Sequence, residues 1–362
     1  MSRKLRTAIL GCGKVAHLHA AALRELDECE FVSVCDNDCA RANAFATTYG
    51  VSAFAGCADM IARSGVEVLI VCTPHPLHAQ GALIGIEAGA HVLVEKPLAS
   101  TVADCDAMIS AAKRKSVKLG VVSQRRFFEP VMRMKAAIDA NKIGDPVLGT
   151  VAMFSWRDEA YYRSDPWRGK WQTEGGGVLI NQSPHHIDIL QWLMGPVEEV
   201  TARWANLNHP YIEVEDTALA ILRFRNGALG SITVSISQKP GLYTKIHIHG
   251  SNGASVGAQT DSGATFIAGM SGVVEPPLND IWTIPGEEHR LETYRDEDRA
   301  AFGELSDPTA HYHLLQDREF LRAVLEGRDP AVTGEEGRKV VAIIDAIYRS
   351  GRDGMPVRLE HT

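Results

Sequence analysis

Between residues 1 and 123 the chain alternates short apolar, β-branched runs with segments of helical period, and this alternation constrains the fold more than any other feature. A β-α-β-α order needs a crossover helix after each strand, which makes the sheet parallel and covers both of its faces. The strand runs fall at 7–10, 31–35, 68–72, 91–94 and 118–122, and the helical stretches at 15–26, 40–49, 58–64, 77–88 and 101–115. Most of these strands are apolar along their length, as strands buried on both faces must be. A doubly wound parallel sheet over residues 1–123 is the expectation.

After Ser123 the pattern changes. A helix is expected over 131–141, the run Ile143-Gly-Asp-Pro turns the chain, and 147–156 reads as a long strand. Several alternating strands follow between 197 and 248, and Asn226-Gly227 between 219–225 and 228–237 is a strong hairpin signal. Residues 124–362 therefore read as a second α/β domain with a mostly antiparallel, open sheet. Residues 311–349 return to helical period and are expected to pack back across the domains, and 251–272 is a Gly/Ser/Ala-rich loop region. The length of 362 residues suits two domains. All seven cysteines fall in the first 105 residues and all six tryptophans between 156 and 282, so the two parts differ in composition as well as in pattern.

Composition removes several classes. With 37 Lys+Arg against 45 Asp+Glu the chain carries a formal charge of −8, which argues against a nucleic-acid partner. An odd number of cysteines with no C-x-x-C pair points to reduced core thiols rather than a disulfide framework. The start, Met-Ser-Arg-Lys-Leu-Arg, has no apolar signal stretch, and no apolar run approaches the ~20 residues of a membrane span. A cytoplasmic protein with no membrane contact is expected.

The segment Gly11-Cys-Gly13-Lys14-Val15-Ala16 is a G-x-G-x-x-A turn placed directly after the first strand and before the first helix. Glycines at 11 and 13 permit a tight turn and let a pyrophosphate approach the backbone at the positive end of the helix. The next strand ends in Asp36, about twenty residues past Ala16, where a carboxylate accepts from both ribose hydroxyls and repels a 2′-phosphate. Asn37 follows with no arginine directly behind it, so NAD is expected over NADP, with Arg41 five residues on as the opposing sign. Thr73-Pro74-His75-Pro76 follows the third strand at the sheet's carboxyl edge, placing Thr73, Pro74 and His78 near the cofactor.

The fourth strand ends in Glu95-Lys96-Pro97 at the same edge, where a lysine ammonium can hydrogen-bond a substrate hydroxyl and favour a developing alkoxide. Far along the chain, Gly175-Gly-Gly177 leads into an apolar run of helical period from 178 to 194, stopped by Gly195-Pro196. Pro184 inside it means either a kink or a helix that begins only there. In a continuous helix Asn181 and His185, four apart, share one face, and His185 can take a proton from a hydroxyl near neutral pH.

These three stretches, with Ala88-Gly-Ala-His-Val-Leu-Val-Glu-Lys-Pro97 the most specific, resemble the Gfo/Idh/MocA oxidoreductases, and the likeness runs over nearly the whole chain. The resemblance implies an N-terminal Rossmann domain, a C-terminal α/β domain whose open sheet forms homo-oligomers, and reversible oxidation of a secondary alcohol on a sugar or cyclitol. Carried over by position, Lys96 orients the hydroxyl and His185 takes its proton. Glu95 and Lys96 at the end of the fourth strand and Gln124 after the last strand are expected beside the cofactor, with Lys96 and Gln124 also facing substrate. A cis bond before Pro97 is common in the family. Inositol dehydrogenases have an aspartate where this chain has Asn181, which moves the expectation toward pyranose sugars, glycosides or nucleotide-linked sugars. A redox-neutral oxidoreductase or NAD-assisted glycosidase that recycles its cofactor, and an inositol dehydrogenase, stay open as alternatives. A sugar-sensing regulator without catalysis is disfavoured by the presence of both Lys96 and His185.

The stretch from Trp156 to Trp171 is the expected substrate wall, with Tyr161, Trp167 and Arg168 as ligand contacts and Trp156 and Trp171 as packing. No metal is expected: the pairs His75/His78, His247/His249 and His311/His313 each lack a third ligand in the sequence.

Overall fold

The computed structural model describes residues 3–260 and 275–359. These form two compact units, one of residues 3–124 with 309–341 and the other of 125–260, 275–308 and 342–359. No helix among the described residues is long and apolar enough to cross a membrane.

The first unit runs β1 (Leu5–Leu10), α1 (Ala16–Glu25), β2 (Cys29–Cys35), α2 (Cys39–Tyr49), β3 (Ser52–Phe54), α3 (Cys57–Ser64), β4 (Val68–Val71), α4 (His78–Glu87), β5 (His91–Val94), α5 (Val102–Lys115) and β6 (Leu119–Val121). All neighbouring strands pair in parallel, in the order β3-β2-β1-β4-β5-β6, so the doubly wound sheet expected from the sequence is present. The edge strand β3 is an addition: three residues, Ser52-Ala53-Phe54, are too few to show a period, and β3 exists because β2 offers it partners at Ser33, Val34 and Cys35. The central strands are short, and β4 is buried at every position. A buried aliphatic side chain contributes about 1.5–3 kcal/mol, so packing rather than local propensity holds a four-residue strand. Asp38 and Thr101 cap α2 and α5 by accepting from main-chain N–H groups of their first turns.

The second unit contains α6 (Glu129–Asp139), β7 (Pro146–Phe154), α7 (Glu159–Arg163), α8 (Trp171–Glu174), α9 (Val178–Asn181), α10 (Pro184–Met194), β8 (Val197–Ala205), β9 (Thr217–Phe224), β10 (Leu229–Ser235), β11 (Tyr243–Gly250), β12 (Ser255–Thr260), β13 (Leu278–Trp282) and α11 (Arg290–Gly303). Then come α12 (Pro308–Glu326), nearly all of it in the first unit, α13 (Gly334–Asp353), and β14 (Val357–Arg358), which pairs with β8. The second sheet is ordered β13-β12-β11-β7-β10-β9-β8-β14, antiparallel except for β7 beside β10. Asn226-Gly227 does turn β9 into β10, with Arg223 opposite Leu229. The Gly/Ser/Ala-rich stretch is less of a loop than its composition suggests: β12 occupies 255–260, and its part at 261–272 lies outside the described residues. Along β9 burial alternates strictly, with Ala218, Ala220, Leu222 and Phe224 facing the core and Leu219 and Ile221 exposed. Leu190 and Met194 of α10 lie against Gly149 of β7 on the covered face.

Candidate active site

In the first unit the sequence-predicted cofactor residues come together along one edge, because each follows the carboxyl end of a neighbouring parallel strand. Gly11 and Gly13 follow β1, Asp36 follows β2, Thr73 and Pro74 follow β4, Glu95 and Lys96 follow β5, and Gln124 follows β6. The strand order reverses between β1 and β4, the place where an open α/β sheet forms its ligand crevice. Gly11 adopts φ +93°, and a Cβ there would lie 2.8 Å from the Cys72 carbonyl carbon and oxygen. A Cβ on Gly13 would meet nothing within 4 Å, which leaves the backbone open to a ligand, and Lys14, Val15 and Ala16 lead from it into α1. This turn, the helix N-terminus behind it and Asp36 fit a dinucleotide.

Asp36 is buried and fixed from three directions. Its Oδ2 accepts from the Cys12 main-chain N–H (2.8 Å), Oδ1 accepts from Asp38 N–H (2.9 Å), and Arg41 forks onto both oxygens at 3.1 and 3.0 Å. Asn37 beside it is exposed. Both ring nitrogens of His78 face main-chain carbonyls, those of Pro97 (2.7 Å) and Thr73 (2.8 Å), so its ring ties the loop after β4 to the loop after β5. The Lys96–Pro97 peptide is cis. All seven cysteines are free thiols, and burial pushes the Cys12 thiol in the glycine turn up to about 12, which leaves it a small apolar residue.

Glu95 is buried, with Oε2 accepting the Lys96 main-chain N–H at 3.0 Å and Oε1 facing His19 Nε2 at 3.1 Å. The other nitrogen of His19 donates to both oxygens of Asp317 on α12, at 3.0 and 2.9 Å. His313 adds a ring nitrogen 3.6 Å from Glu95, while its Nδ1 donates to the Thr309 carbonyl. Burial works against the charged form of His19, but the charge and hydrogen bonds of Asp317, then those of Glu95, raise it to about 10. Burial alone would raise Glu95; hydrogen bonds from His19 and His313 hold it well below the usual carboxylate range. A histidine that is raised on folding contributes stability in full below its unfolded value of 6.5 and loses it as pH rises toward about 10. Urea unfolding at pH about 6 and about 10 should therefore show the gap between wild type and His19→Gln closing as pH rises, and a constant gap would refute a charged His19.

In the second unit, Tyr161, Arg168 and Asn181 are one hydrogen-bonded group. Arg168 Nη1 donates to Tyr161 Oη (2.6 Å), as do Asn181 Nδ2 (3.2 Å) and Gln182 Nε2 (3.3 Å), and the Arg168 guanidinium lies 4.5 Å from both the Tyr161 and Trp167 ring centres. The Asn181 amide also donates to Glu174, a wholly buried carboxylate. Trp171 packs on Trp204 and Tyr348, and Trp156 on His209.

The apolar run from 178 to 194 is two helices rather than one. α9 ends at Asn181 and α10 starts at Pro184, where a residue without an N–H costs no helical bond, so Asn181 and His185 do not share a continuous helix face. His185 is the second residue of α10 and is buried. His186 faces Arg125 at 2.8 Å, and Asp188 holds Arg126 in a buried two-bond fork. Glu215 goes unnoticed in the sequence: its Oε2 accepts from Gly177 N–H and its Oε1 from Leu179 N–H and the Tyr348 hydroxyl, all at 2.9 Å, so it holds the triple-glycine turn. Burial raises it to about 7 against those donors. The cluster of His19, Glu95, His313 and Asp317 is equally invisible in sequence, since its members lie up to 298 positions apart.

A glycine-turn parallel sheet with an acid after its second strand is the arrangement of a dinucleotide-binding domain. Residues 5–123 match the description "Oxidoreductase family, NAD-binding Rossmann fold" and residues 135–359 match "Oxidoreductase family, C-terminal alpha/beta domain". The chain belongs to this Gfo/Idh/MocA family and is an NAD-dependent oxidoreductase acting on CH–OH groups. It is similar to myo-inositol 2-dehydrogenase of Thermotoga maritima, 28% identical over 98% of this chain and 99% of that one. It is also similar to inositol 2-dehydrogenase of Rhizobium meliloti, 27% identical over 96% of each. Among solved structures it resembles the WlbA dehydrogenase of Bordetella pertussis in complex with NADH and UDP-GlcNAcA, at 31% identity and a TM-score of 0.87, covering 100% of this chain and 99% of that one.

Proposed function

We propose that the protein oxidises a secondary hydroxyl of a pyranose sugar, glycoside or sugar derivative, reversibly, with Lys96 orienting the hydroxyl and His185 accepting its proton. The observation that carries the reading is the placement of Glu95-Lys96-Pro97 at the end of β5, on the edge that also holds the glycine turn and Asp36. NAD, when bound, supplies the hydride acceptor. The ammonium of Lys96 donates to the reacting oxygen and steadies the charge that grows on it as the C–H bond breaks. His185 holds the proton released from that oxygen. Gly11, Gly13, Lys14, Val15, Ala16, Asp36, Asn37, Arg41, Thr73, Pro74, His78 and Gln124 form the cofactor side in this reading. Tyr161, Trp167, Arg168 and Asn181 form the sugar wall, where an aromatic face packs on a ring and a guanidinium forks onto oxygens.

Support for a sugar over a cyclitol comes from Asn181. Its amide is committed to Glu174 and Tyr161, so position 181 supplies no carboxylate of its own. The similarity to inositol dehydrogenases is the specific observation in favour of the second reading, a cyclitol dehydrogenase. Assembly with further copies is part of the proposal: Leu219, Ile221 and Leu229, each more than half exposed, form an apolar row on the open face of the second sheet.

The test is NADH formation by the purified protein with D-glucose, a methyl glucoside, UDP-GlcNAcA and myo-inositol, with size-exclusion chromatography of the same preparation. The expected result is an oligomer that reduces NAD with a pyranose substrate at a kcat/KM at least about tenfold that for inositol, a difference of ~1.4 kcal/mol. Turnover of inositol alone, or release of free sugar without net NADH, would overturn the reading, and a monomer would overturn its assembly.

A further inference from the structure

The buried group of His19, Glu95, His313 and Asp317 plays no part in the steps above, yet one of its atoms touches the lysine that does. Glu95 divides its carboxylate: Oε2 accepts the main-chain N–H of Lys96 at 3.0 Å, and Oε1 takes the ring N–H of His19 at 3.1 Å. Glu95 therefore ties the Lys96 peptide, and with it the start of the lysine side chain, to the ring of His19. The His19 ring is in turn fixed from behind by the two oxygens of Asp317 at 3.0 and 2.9 Å. His313 closes the remaining side, its ring edge-on to His19 at 5.2 Å. His19 is fully buried and sits on α1, the helix whose N-terminus follows the glycine turn. The relay therefore runs from the cofactor helix through Glu95 to the lysine, with α12 as its brace.

We propose that His19, clamped between Asp317 and Glu95, is a positioning residue for hydride transfer: through Glu95 it sets the direction in which Lys96 presents its ammonium. The proposal rests on the reading of Lys96 as the group that orients the reacting hydroxyl. The acceptor of the Lys96 N–H is thus itself held by His19, and His19 by Asp317, from segments far apart in the chain.

The test uses the full chain with His19→Gln, whose single amide nitrogen replaces the two opposed ring nitrogens that face Glu95 and Asp317, and Asp317→Asn, which removes the charge and one of the two acceptor oxygens of the brace. The expected result for His19→Gln is a kcat lowered about 30-fold with whichever member of the panel above turns over fastest, and an NAD dissociation constant within about threefold of wild type. Asp317→Asn should fall between the two, and it carries the test if His19→Gln does not fold. Labelling needs neither cofactor nor substrate: acetic anhydride should acetylate Lys96 at a rate changed at least about threefold in His19→Gln, with Lys118 and Lys142 unchanged, by mass spectrometry.

Unchanged kcat and unchanged Lys96 labelling in folded variants, with only the melting temperature lowered, would overturn the proposal and leave His19 a structural residue. Stoichiometric zinc in the purified wild type, lost from His19→Gln, would overturn it too, since His19, Glu95 and His313 have ligand atoms within 4.8 Å of one another. If Lys96→Ala keeps full activity while His19→Gln still shifts Lys96 labelling, the catalytic reading of Lys96 fails and the positioning contact stands.

Discussion

Lys96→Ala and His185→Ala should each lower kcat by at least about 10³-fold while NAD affinity stays within about threefold of wild type. Stopped-flow NADH absorbance reads the first quantity and calorimetric titration with NAD the second. The separation follows from where the residues stand. In the proposed reading the dinucleotide is held by the glycine turn, the start of α1 and Asp36, whose carboxylate is fixed by Cys12, Asp38 and Arg41, rather than by the Lys96 ammonium or the His185 ring. An ammonium that favours the growing alkoxide acts in the transition state, so its loss shows in kcat rather than in cofactor binding. Retained activity in either variant would sink the assignment of that residue, and weakened NAD binding in both would move them to the cofactor side.

A large effect on stability is expected from Gly177→Ala, which should lower the unfolding free energy by about 3 kcal/mol and the melting temperature by roughly 10 °C. A Cβ at Gly177 would lie 1.9 Å from the Glu215 carbonyl oxygen, a main-chain atom that cannot rotate aside. Moving it would break the Val178 N–H bond to that carbonyl (3.1 Å) and disturb the two bonds from Gly177 and Leu179 to the Glu215 carboxylate. The turn leads directly into α9 and Asn181, so catalysis should fall with stability. Gly227→Ala is the control: it has a left-handed φ of +86° but open space around it, and should cost only about 1 kcal/mol with activity kept. Equal melting curves for the two variants would show that the close approach at Gly177 does not matter.

The legible part of the first unit was legible for local reasons. Apolar strands, helical period, a G-x-G-x-x-A turn and an acid at the next strand end are all fixed within about 35 residues of chain, and that spacing is what a β-α-β unit requires. Glu95-Lys96-Pro97 could be placed at the sheet edge because it directly follows a strand. β3 escaped because three residues carry no period, and the helical reading of 178–194 held only in part because the chain breaks at Ser183 before Pro184.

What the sequence determined by itself was the parallel sheet, its cofactor turn, the hairpin at Asn226-Gly227 and the identity of Lys96 and His185 as candidates, each a matter of residue type at short range. The tertiary structure decided what those residues touch. It put Arg41 on Asp36, bound Asn181 to Glu174 and Tyr161, set the buried carboxylate of Glu215 under the triple glycine, and brought His19, Glu95 and Asp317 into one line. The physical reason is burial. A polar group removed from water must find its partner wherever the fold brings one, and for His19 that partner lies 298 positions away.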